Sequence, residues 1–118
     1  MTTPTILIVD DHPSFRAVAR LLLEAEGFTV VGVADDGESA VAETLRLKPD
    51  VVLLDVGLPD IDGFEVAARL RDAGATSAIV FTSSRDGSNF GPLIAESGAR
   101  GFIPKPELSG SAVRALVG

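Results

Sequence analysis

Two acidic side chains directly follow an apolar run near the start of the chain, and a third follows a similar run further on. Asp10 and Asp11 come after residues 6–9, and Asp55 comes after residues 51–54. Carboxylates that lie close together repel one another, and a bound cation relieves that repulsion. Oxygen ligands, in a chain with no cysteine and a single histidine, favour Mg²⁺ over zinc. Each aspartate alone is an ordinary helix cap or turn residue, but together they indicate a cation site.

Hydroxyl and ammonium groups follow two further apolar runs. Thr82 and Ser83 come after residues 78–81, and Lys105 follows residues 101–104. An aspartate beside bound Mg²⁺ can act as a nucleophile toward phosphorus. A lysine and a hydroxyl are suitable donors to the oxygens of the transferred phosphoryl group. The combined set of side chains therefore indicates phosphoryl chemistry.

Strand-like and helix-like segments alternate along the chain and would position these side chains. The predicted strands are residues 5–9, 28–33, 51–54, 78–81 and 101–104. The predicted helices are residues 14–26, 38–47, 64–73, a segment within 90–97, and 109–117, the fourth being opposed by Gly87, Gly91 and Pro92. This alternation predicts an α/β fold, a doubly wound five-stranded parallel sheet of order 2-1-3-4-5 with five helices. Such sheets bind ligands at the carboxyl ends of their strands, where the acidic residues, Thr82, Ser83 and Lys105 stand.

The spacing of apolar residues also predicts which helix faces pack inward. These residues are Phe15, Val18, Leu22 and Ala25 in the first helix, and Val41 and Leu45 in the second.

Composition limits the classes of function. The 118 residues fit one domain, residues 1–118, and the net charge of −7 argues against direct nucleic-acid binding by this domain. No apolar run is long enough to cross a membrane, so we expect no membrane association. The absence of cysteine and of a signal peptide indicates a cytoplasmic location.

Three motifs carry a family resemblance over nearly the whole chain. They are ILIVDDHP at residues 6–13, DVVLLDVGLPDIDG at 50–63 and GARGFIPK at 98–105. In order and spacing they resemble the receiver domains of bacterial two-component response regulators, the CheY-like superfamily with a flavodoxin-like fold. The resemblance implies that Asp55 accepts a phosphoryl group. It also implies that Asp11 and Asp55 ligate Mg²⁺, that Asp10 positions the ion through water, and that the Gly57 carbonyl completes the ligands.

Further roles follow from the same resemblance. Lys105 would pair with the phosphoryl group, and Phe102 would be the aromatic residue that moves inward on activation. The switch hydroxyl remains open: Thr82 directly follows the apolar strand, whereas Ser83 better fits the family's separations from Asp55 and Lys105, and Ser83 is favoured.

Three local features complete the comparison with the family. His12 stands where the family has a variable residue, so we expect a solvated side chain there. The resemblance suggests a cis bond between Lys105 and Pro106. The segment 85–92 is rich in glycine and proline, which predicts a short fourth helix.

The resemblance implies a signalling switch in a phosphorelay rather than an enzyme, one that catalyses only its own phosphoryl transfer and dephosphorylation. A histidine kinase or phosphotransfer protein would supply the phosphoryl group, and a partner or output domain would read the switch. The chain would be a monomer or a phosphorylation-dependent dimer, either alone or part of a longer regulator. The alternatives are a docking module independent of phosphorylation, a small aspartate-nucleophile phosphatase, and a flavodoxin-like cofactor binder.

Overall fold

The computed structural model describes residues 3–84 and 90–117. Five parallel strands form one sheet in the order β2-β1-β3-β4-β5, as predicted. The strands are β1 (Thr5–Val9), β2 (Thr29–Ala34), β3 (Val51–Asp55), β4 (Ala78–Ser83) and β5 (Gly101–Pro104). The helices are α1 (Pro13–Ala25), α2 (Gly37–Leu47), α3 (Gly63–Asp72), α4 (Gly91–Ser97) and α5 (Gly110–Val117). Residues 85–89 of the glycine- and proline-rich segment lie outside the described residues.

The central strands are apolar throughout because helices cover both faces of the sheet. All five residues of β3 are buried. Ile6, Ile8 and Leu53 belong to a core beneath α1 and α5. Leu7 and Leu54 belong to a second core beneath the other three helices.

Strand register brings the ends of β1, β3, β4 and β5 to one edge. Val9 pairs with Leu54, so Asp10 and Asp55 leave neighbouring strands side by side. Asp55 pairs with Thr82 across the next pair of strands. Ser83 pairs with Pro104, the residue before Lys105. The edge between β1 and β3 is the point where the strand order reverses, and it is the predicted crevice.

The predicted packing faces of α1 and α2 are partly wrong. Val18 and Leu22 are 51% and 38% exposed and Ala25 is also exposed, whereas Ala19 and Leu23 are fully buried. Phe15 packs partly against the core, so the inward face follows the spacing 15, 19, 23. A small alanine lies against the sheet, which lets the helix approach closely and turns the larger Val18 and Leu22 outward.

A similar difference occurs in α2. Leu45 is 41% exposed, whereas Ala40 and Thr44 are buried. The Thr44 hydroxyl donates to the Ala40 carbonyl oxygen at 2.7 Å, which satisfies its polar group inside the core. Val41 packs partly against the second core, as predicted.

Two features near the ends of β4 and β5 also differ from expectation. First, β4 continues to Ser83 instead of ending at Phe81. A hydrogen bond from the N–H of Val56 to the Thr82 carbonyl oxygen, at 3.0 Å, extends its pairing beyond Phe81. All described peptide bonds are trans, so the suggested cis Lys105–Pro106 bond is wrong for this structure. Lys105–Glu107 form a 3₁₀ turn closed by the N–H of Leu108 on the Lys105 carbonyl oxygen, which places Pro106 where a trans proline fits.

The fourth helix is short, as predicted. Pro92 lies in the first turn of α4, where a missing N–H costs no helical hydrogen bond. Gly98, with φ of 77°, ends the helix in the left-handed conformation. No described helix is long and apolar enough to cross a membrane.

Candidate functional site

Three aspartates meet at the carboxyl edge of the sheet, as predicted. Asp10 and Asp55 are buried, with 0% and 3% exposure, and Asp11 is partly exposed. One ligand atom from each of these residues, and one from His12, lie within 4.8 Å of one another. Asp11 Oδ1 is buried and accepts no hydrogen bond of good geometry within residues 3–84 and 90–117, although His12 Nδ1 lies 3.2 Å from it. These residues form an acidic cluster with the composition and size of a divalent-cation site.

Lys105 supplies the positive charge of this cluster. Its Nζ atom lies 2.6 Å from Asp10 Oδ2 and 3.4 Å from Asp55 Oδ2, and its side chain is only 13% exposed. The ammonium group also lies 4.7 Å from the centre of the Phe15 ring, a cation–π contact. The β5 strand therefore delivers Lys105 between the ends of β1 and β3, with an aromatic ring from α1 beneath it.

Burial and neighbouring charges shift the pKa values of Asp55, Asp10 and Lys105. Burial raises the pKa of Asp55, and the nearby Asp10 carboxylate raises it further. The Gly57 N–H and Lys105 act to lower this pKa, but they do not outweigh burial and Asp10. Burial also acts to raise the pKa of Asp10, but its contacts with Lys105 and His12 outweigh burial and hold that pKa below its usual value. Burial acts to lower the pKa of Lys105, and the two carboxylates reverse this, leaving that pKa raised. Near neutral pH the lysine is therefore charged.

His12 contacts two of the aspartates, which the sequence did not indicate. Its side chain is 62% exposed, as expected, but its Nδ1 atom lies 2.9 Å from Asp10 Oδ1 and 3.2 Å from Asp11 Oδ1. The backbone N–H of His12 also donates to Asp10 Oδ1 at 2.8 Å. A backbone N–H of the turn between β1 and α1 thus fixes the position of the Asp10 carboxylate.

The loop after β3, residues 56–62, starts and ends against Asp55. The N–H of Gly57 donates to Asp55 Oδ1 at 3.1 Å, and the N–H of Gly63 donates to the Val56 carbonyl oxygen at 2.9 Å. A Cβ atom at Gly63 would lie 2.6 Å from the Asp55 carbonyl oxygen and 3.0 Å from Val56 Cα. Because both neighbours are backbone atoms, only glycine fits there.

We therefore expect Gly63→Ala to destabilise the protein and distort Asp55. Overpacking of this kind costs about 2 kcal/mol of the free energy of unfolding, measured by urea denaturation. Gly57→Ala, in the same loop, is the stability control, since a Cβ atom there would lie 4.0 Å from its nearest neighbour, Asp55 Oδ1. Equal unfolding free energies for the two variants would contradict the close approach at Gly63.

The two candidate hydroxyls lie on opposite faces of β4. Ser83 is 6% exposed and lines a cavity of about 320 Å³ together with Asp55, Lys105 and Phe90. Thr82 is fully buried, and the structure gives its Oγ1 atom no hydrogen-bond partner within the described residues. Only Ser83 of the two lines this cavity, which supports the choice made from spacing.

A row of phenylalanine rings connects the second core with β5. The ring centres of Phe64 and Phe81 lie 4.7 Å apart, those of Phe64 and Phe90 5.8 Å, and those of Phe90 and Phe102 6.0 Å. Phe102 is half-buried at the end of this row. Phe90 both lines the cavity and contacts Phe102, a role that its sequence position before α4 did not indicate.

A larger cavity, of about 540 Å³, lies at the opposite end of the sheet. Its lining includes Pro4, Asp50 and Arg100, which precede β1, β3 and β5. It is therefore separated from Asp10, Asp11 and Asp55 by the length of the strands. The acidic edge is the better candidate because three carboxylates and a mostly buried lysine meet there within contact distance.

Comparisons with known proteins agree with this geometry. The sequence matches the family described as response regulator receiver domain over residues 6–116. A putative transcriptional regulator of Pseudomonas aeruginosa is 42% identical over 102 residues, which are 86% of this chain and 49% of that protein. The protein-glutamate methylesterase/protein-glutamine glutaminase 6 of Anaeromyxobacter dehalogenans is 42% identical over 112 residues, 93% of this chain and 31% of that protein.

A solved structure extends the similarity to the whole fold. The signal receiver domain of the putative response regulator NarL from Mycobacterium tuberculosis gives a TM-score of 0.88 at 30% sequence identity, covering 100% of this chain and 99% of that one. The chain spans about half the length of the Pseudomonas relative but the full length of this single domain.

Proposed function

The chain belongs to the response regulator receiver domain family, which acts in two-component signalling, and we propose that it takes its phosphoryl group on Asp55. The observation that carries this assignment is the convergence of Asp10, Asp11 and Asp55 with Lys105 at one edge of the sheet. Of these three aspartates, Asp55 is the one that lines the cavity beside Ser83. Residues 1–118 then form one receiver domain.

Mg²⁺ is the cation that we propose for this site. Asp10, Asp11, Asp55 and the Gly57 carbonyl oxygen would hold it, Asp10 through water, and the buried Asp11 oxygen without a hydrogen bond supports this fit. When bound, the ion supplies positive charge that stabilises the oxygens of the transferred phosphoryl group.

The reaction is a displacement at phosphorus. An Asp55 carboxylate oxygen forms a bond to the phosphorus atom while the bond to the donor breaks, and the electron pair of that bond leaves with the histidine of a kinase or phosphotransfer protein. Acetyl phosphate would lose acetate in the same way. Lys105 keeps its proton and donates to a phosphoryl oxygen from its position 3.4 Å from Asp55 Oδ2. The chain acts as a switch and catalyses only its own phosphorylation and dephosphorylation.

The conformational response begins with Ser83. Its hydroxyl donates to the new phosphoryl oxygens and draws the end of β4 toward Asp55. Phe102 then moves inward along the row of phenylalanine rings, which changes the surface at β5. Such a local electrostatic event biases two preexisting arrangements. A partner or output domain recognises the changed surface. The chain itself acts as a monomer or as a dimer that forms on phosphorylation.

Mass spectrometry of the intact protein tests this function. Incubation with acetyl phosphate and Mg²⁺ should add the mass of one phosphoryl group, and removing Mg²⁺ with a chelator should prevent the addition. Borohydride reduction of the acyl phosphate followed by peptide mapping should place the group on Asp55. No added mass, or a group mapped to another residue, would overturn the proposal and leave a docking module independent of phosphorylation.

A further inference from the structure

The loop that follows the proposed phosphoacceptor is fastened to a neighbouring helix by one carboxylate. Asp60 Oδ1 accepts a hydrogen bond from the N–H of Gly37 at 2.7 Å, and Asp60 Oδ2 accepts one from the N–H of Glu38 at 3.0 Å. Both N–H groups belong to the first turn of α2, where helical N–H groups lack partners within the helix. Asp60 therefore caps α2 from a loop 22 residues away from Glu38 in the sequence.

We call the two hydrogen bonds from Gly37 and Glu38 to Asp60 the clamp. An apolar contact lies directly beside it. A Cβ atom at Gly37 would lie 2.2 Å from Ile61 Cγ1 and 3.0 Å from Val66 Cγ2. The loop and the start of α2 therefore touch so closely that a side chain at Gly37 would force them apart. Ile61 and Asp60 thus fix the loop by packing and by hydrogen bonding at adjacent positions.

An ion-pair bridge joins the same two helices on the outside. Arg69 of α3 contacts Glu38 of α2 at 2.9 Å and Glu65 of α3 at 3.0 Å. These exposed pairs contribute little alone. Their position shows that α2 and α3 face each other across the clamp, so the loop leading into α3 is held from two directions.

The other end of this loop lies in the proposed cation site. Gly57 donates its N–H to Asp55 Oδ1, and its carbonyl oxygen is the proposed fourth ligand. Only Leu58 and Pro59 separate Gly57 from Asp60. The ring of Pro59 fixes its own φ angle, which stiffens this short connection. A displacement of Asp60 is therefore transmitted to Gly57.

We propose that Asp60 is a positioning residue for the divalent-cation site: its clamp on the start of α2 sets the place of the Gly57 carbonyl oxygen beside Asp55. This inference rests on the proposed function, because it takes the cation site at Asp55 as given. Asp60 itself lies outside the proposed set of cation ligands.

The clamp has an acid-titration signature. Hydrogen bonds from the backbone N–H of Gly37 and, to a smaller extent, from those of Glu38, Ile61 and Asp60 itself hold the pKa of Asp60 at about 2, below the ordinary value of 3.8. A lowered pKa means that the clamp contributes its full stability above about pH 4 and loses it as the pH falls through about 2. Carboxyl-carbon NMR should follow this titration at Asp60. A pKa at the ordinary value would show that the clamp does not form in solution.

Asp36 offers a matched control on the same helix. Its Oδ1 atom accepts from the N–H of Ser39 at 2.7 Å and from the Ser39 hydroxyl at 2.6 Å, so it caps α2 through residues of that helix alone. Asp36→Ala and Asp60→Ala each remove one capping carboxylate, and we expect each to lower the melting temperature by about 4 °C. Both variants weaken the start of α2, but only Asp60→Ala also releases the loop.

The closing experiment measures Mg²⁺ affinity and labelling rate in parallel. Mg²⁺ is titrated into the wild-type protein and the variants while the amide NMR shift of Gly57 is followed, and the rate of labelling by acetyl phosphate is measured at each concentration. Asp60→Ala should raise the dissociation constant and the half-saturating Mg²⁺ concentration by about tenfold, with the rate at saturating Mg²⁺ retained. Asp36→Ala should leave both near wild type. Asp60→Asn keeps one acceptor oxygen and should lie between them.

The outcomes separate the two proposals. Equal Mg²⁺ affinities for Asp60→Ala and Asp36→Ala, with normal labelling of the wild-type protein, would overturn the positioning role and leave the proposed function intact. A wild-type protein that binds Mg²⁺ but is never labelled would overturn the proposed function, while the NMR titration still decides the role of Asp60. Should Asp60→Ala fail to fold, Asp60→Asn provides the comparison, and an unchanged affinity in that variant counts against the clamp.

Discussion

Asp55→Asn is expected to abolish Mg²⁺-dependent labelling by acetyl phosphate while leaving the fold unchanged. The amide has nearly the shape of the carboxylate, so it fits the same buried position, but it lacks the negative charge and nucleophilicity needed at phosphorus. Intact-protein mass spectrometry measures the loss. Asp72→Asn, at the exposed end of α3, makes the same chemical change away from the site and should label normally. Labelling that persists in Asp55→Asn would place the acceptor elsewhere.

The same variant should be more stable than the wild-type protein when Mg²⁺ is absent. Burial and the Asp10 carboxylate raise the pKa of Asp55, so the ionised form is disfavoured in the folded state. A raised pKa means that this group supports folding at low pH and loses that contribution as the pH rises through its folded-state value. The melting temperature of Asp55→Asn should therefore exceed that of wild type at pH 7, and added Mg²⁺ should reduce the difference.

Lys105→Ala is expected to be destabilised by about 3 kcal/mol in the absence of Mg²⁺, because removing one partner of a buried ion pair leaves its charge uncompensated. The lysine is mostly buried and its ammonium group lies 2.6 Å from Asp10. This goes beyond the expectation from sequence, in which the residue served only the phosphoryl group. Urea denaturation at pH 7 measures the loss, and Mg²⁺ should restore part of it by binding the folded state.

Two further variants separate charge from packing in this prediction. Lys105→Met retains the aliphatic stem and should lose nearly as much stability as Lys105→Ala if charge dominates. Arg46→Ala removes an exposed cation paired with Glu43 and should change the free energy of unfolding by less than about 1 kcal/mol. If Lys105→Ala resembled Arg46→Ala, the buried ion pair would not exist in the metal-free protein.

The sheet and most of its edge could be predicted because both follow from local patterns. Alternating apolar runs and helical segments fix the order of a doubly wound sheet, and residues directly after parallel strands must share one edge. Asp10, Asp11, Asp55 and Lys105 each occupy such a position, so their meeting required no knowledge of side-chain packing. The family match also decides against the phosphatase and cofactor-binder alternatives.

Contacts that depend on how helices lie on the sheet could not be predicted. Val18 and Leu22 are larger and more apolar than Ala19, yet Ala19 is buried because a small residue permits close approach. In the sequence, Asp60 has the features of an ordinary turn residue. Its contacts with Gly37 and Glu38 could not be predicted, because they form only when α2 packs beside α3. The contact of Lys105 with Phe15 has the same origin.

The short distance between Lys105 and Asp10 bears on when the protein can reach its folded form. A domain whose acidic residues had no internal counterion would depend on dissolved cations to fold, as many small metalloproteins do. Here the ammonium group of Lys105 neutralises part of that charge from within the fold. We therefore expect the chain to reach its folded form without a divalent ion and to bind the proposed ion afterwards.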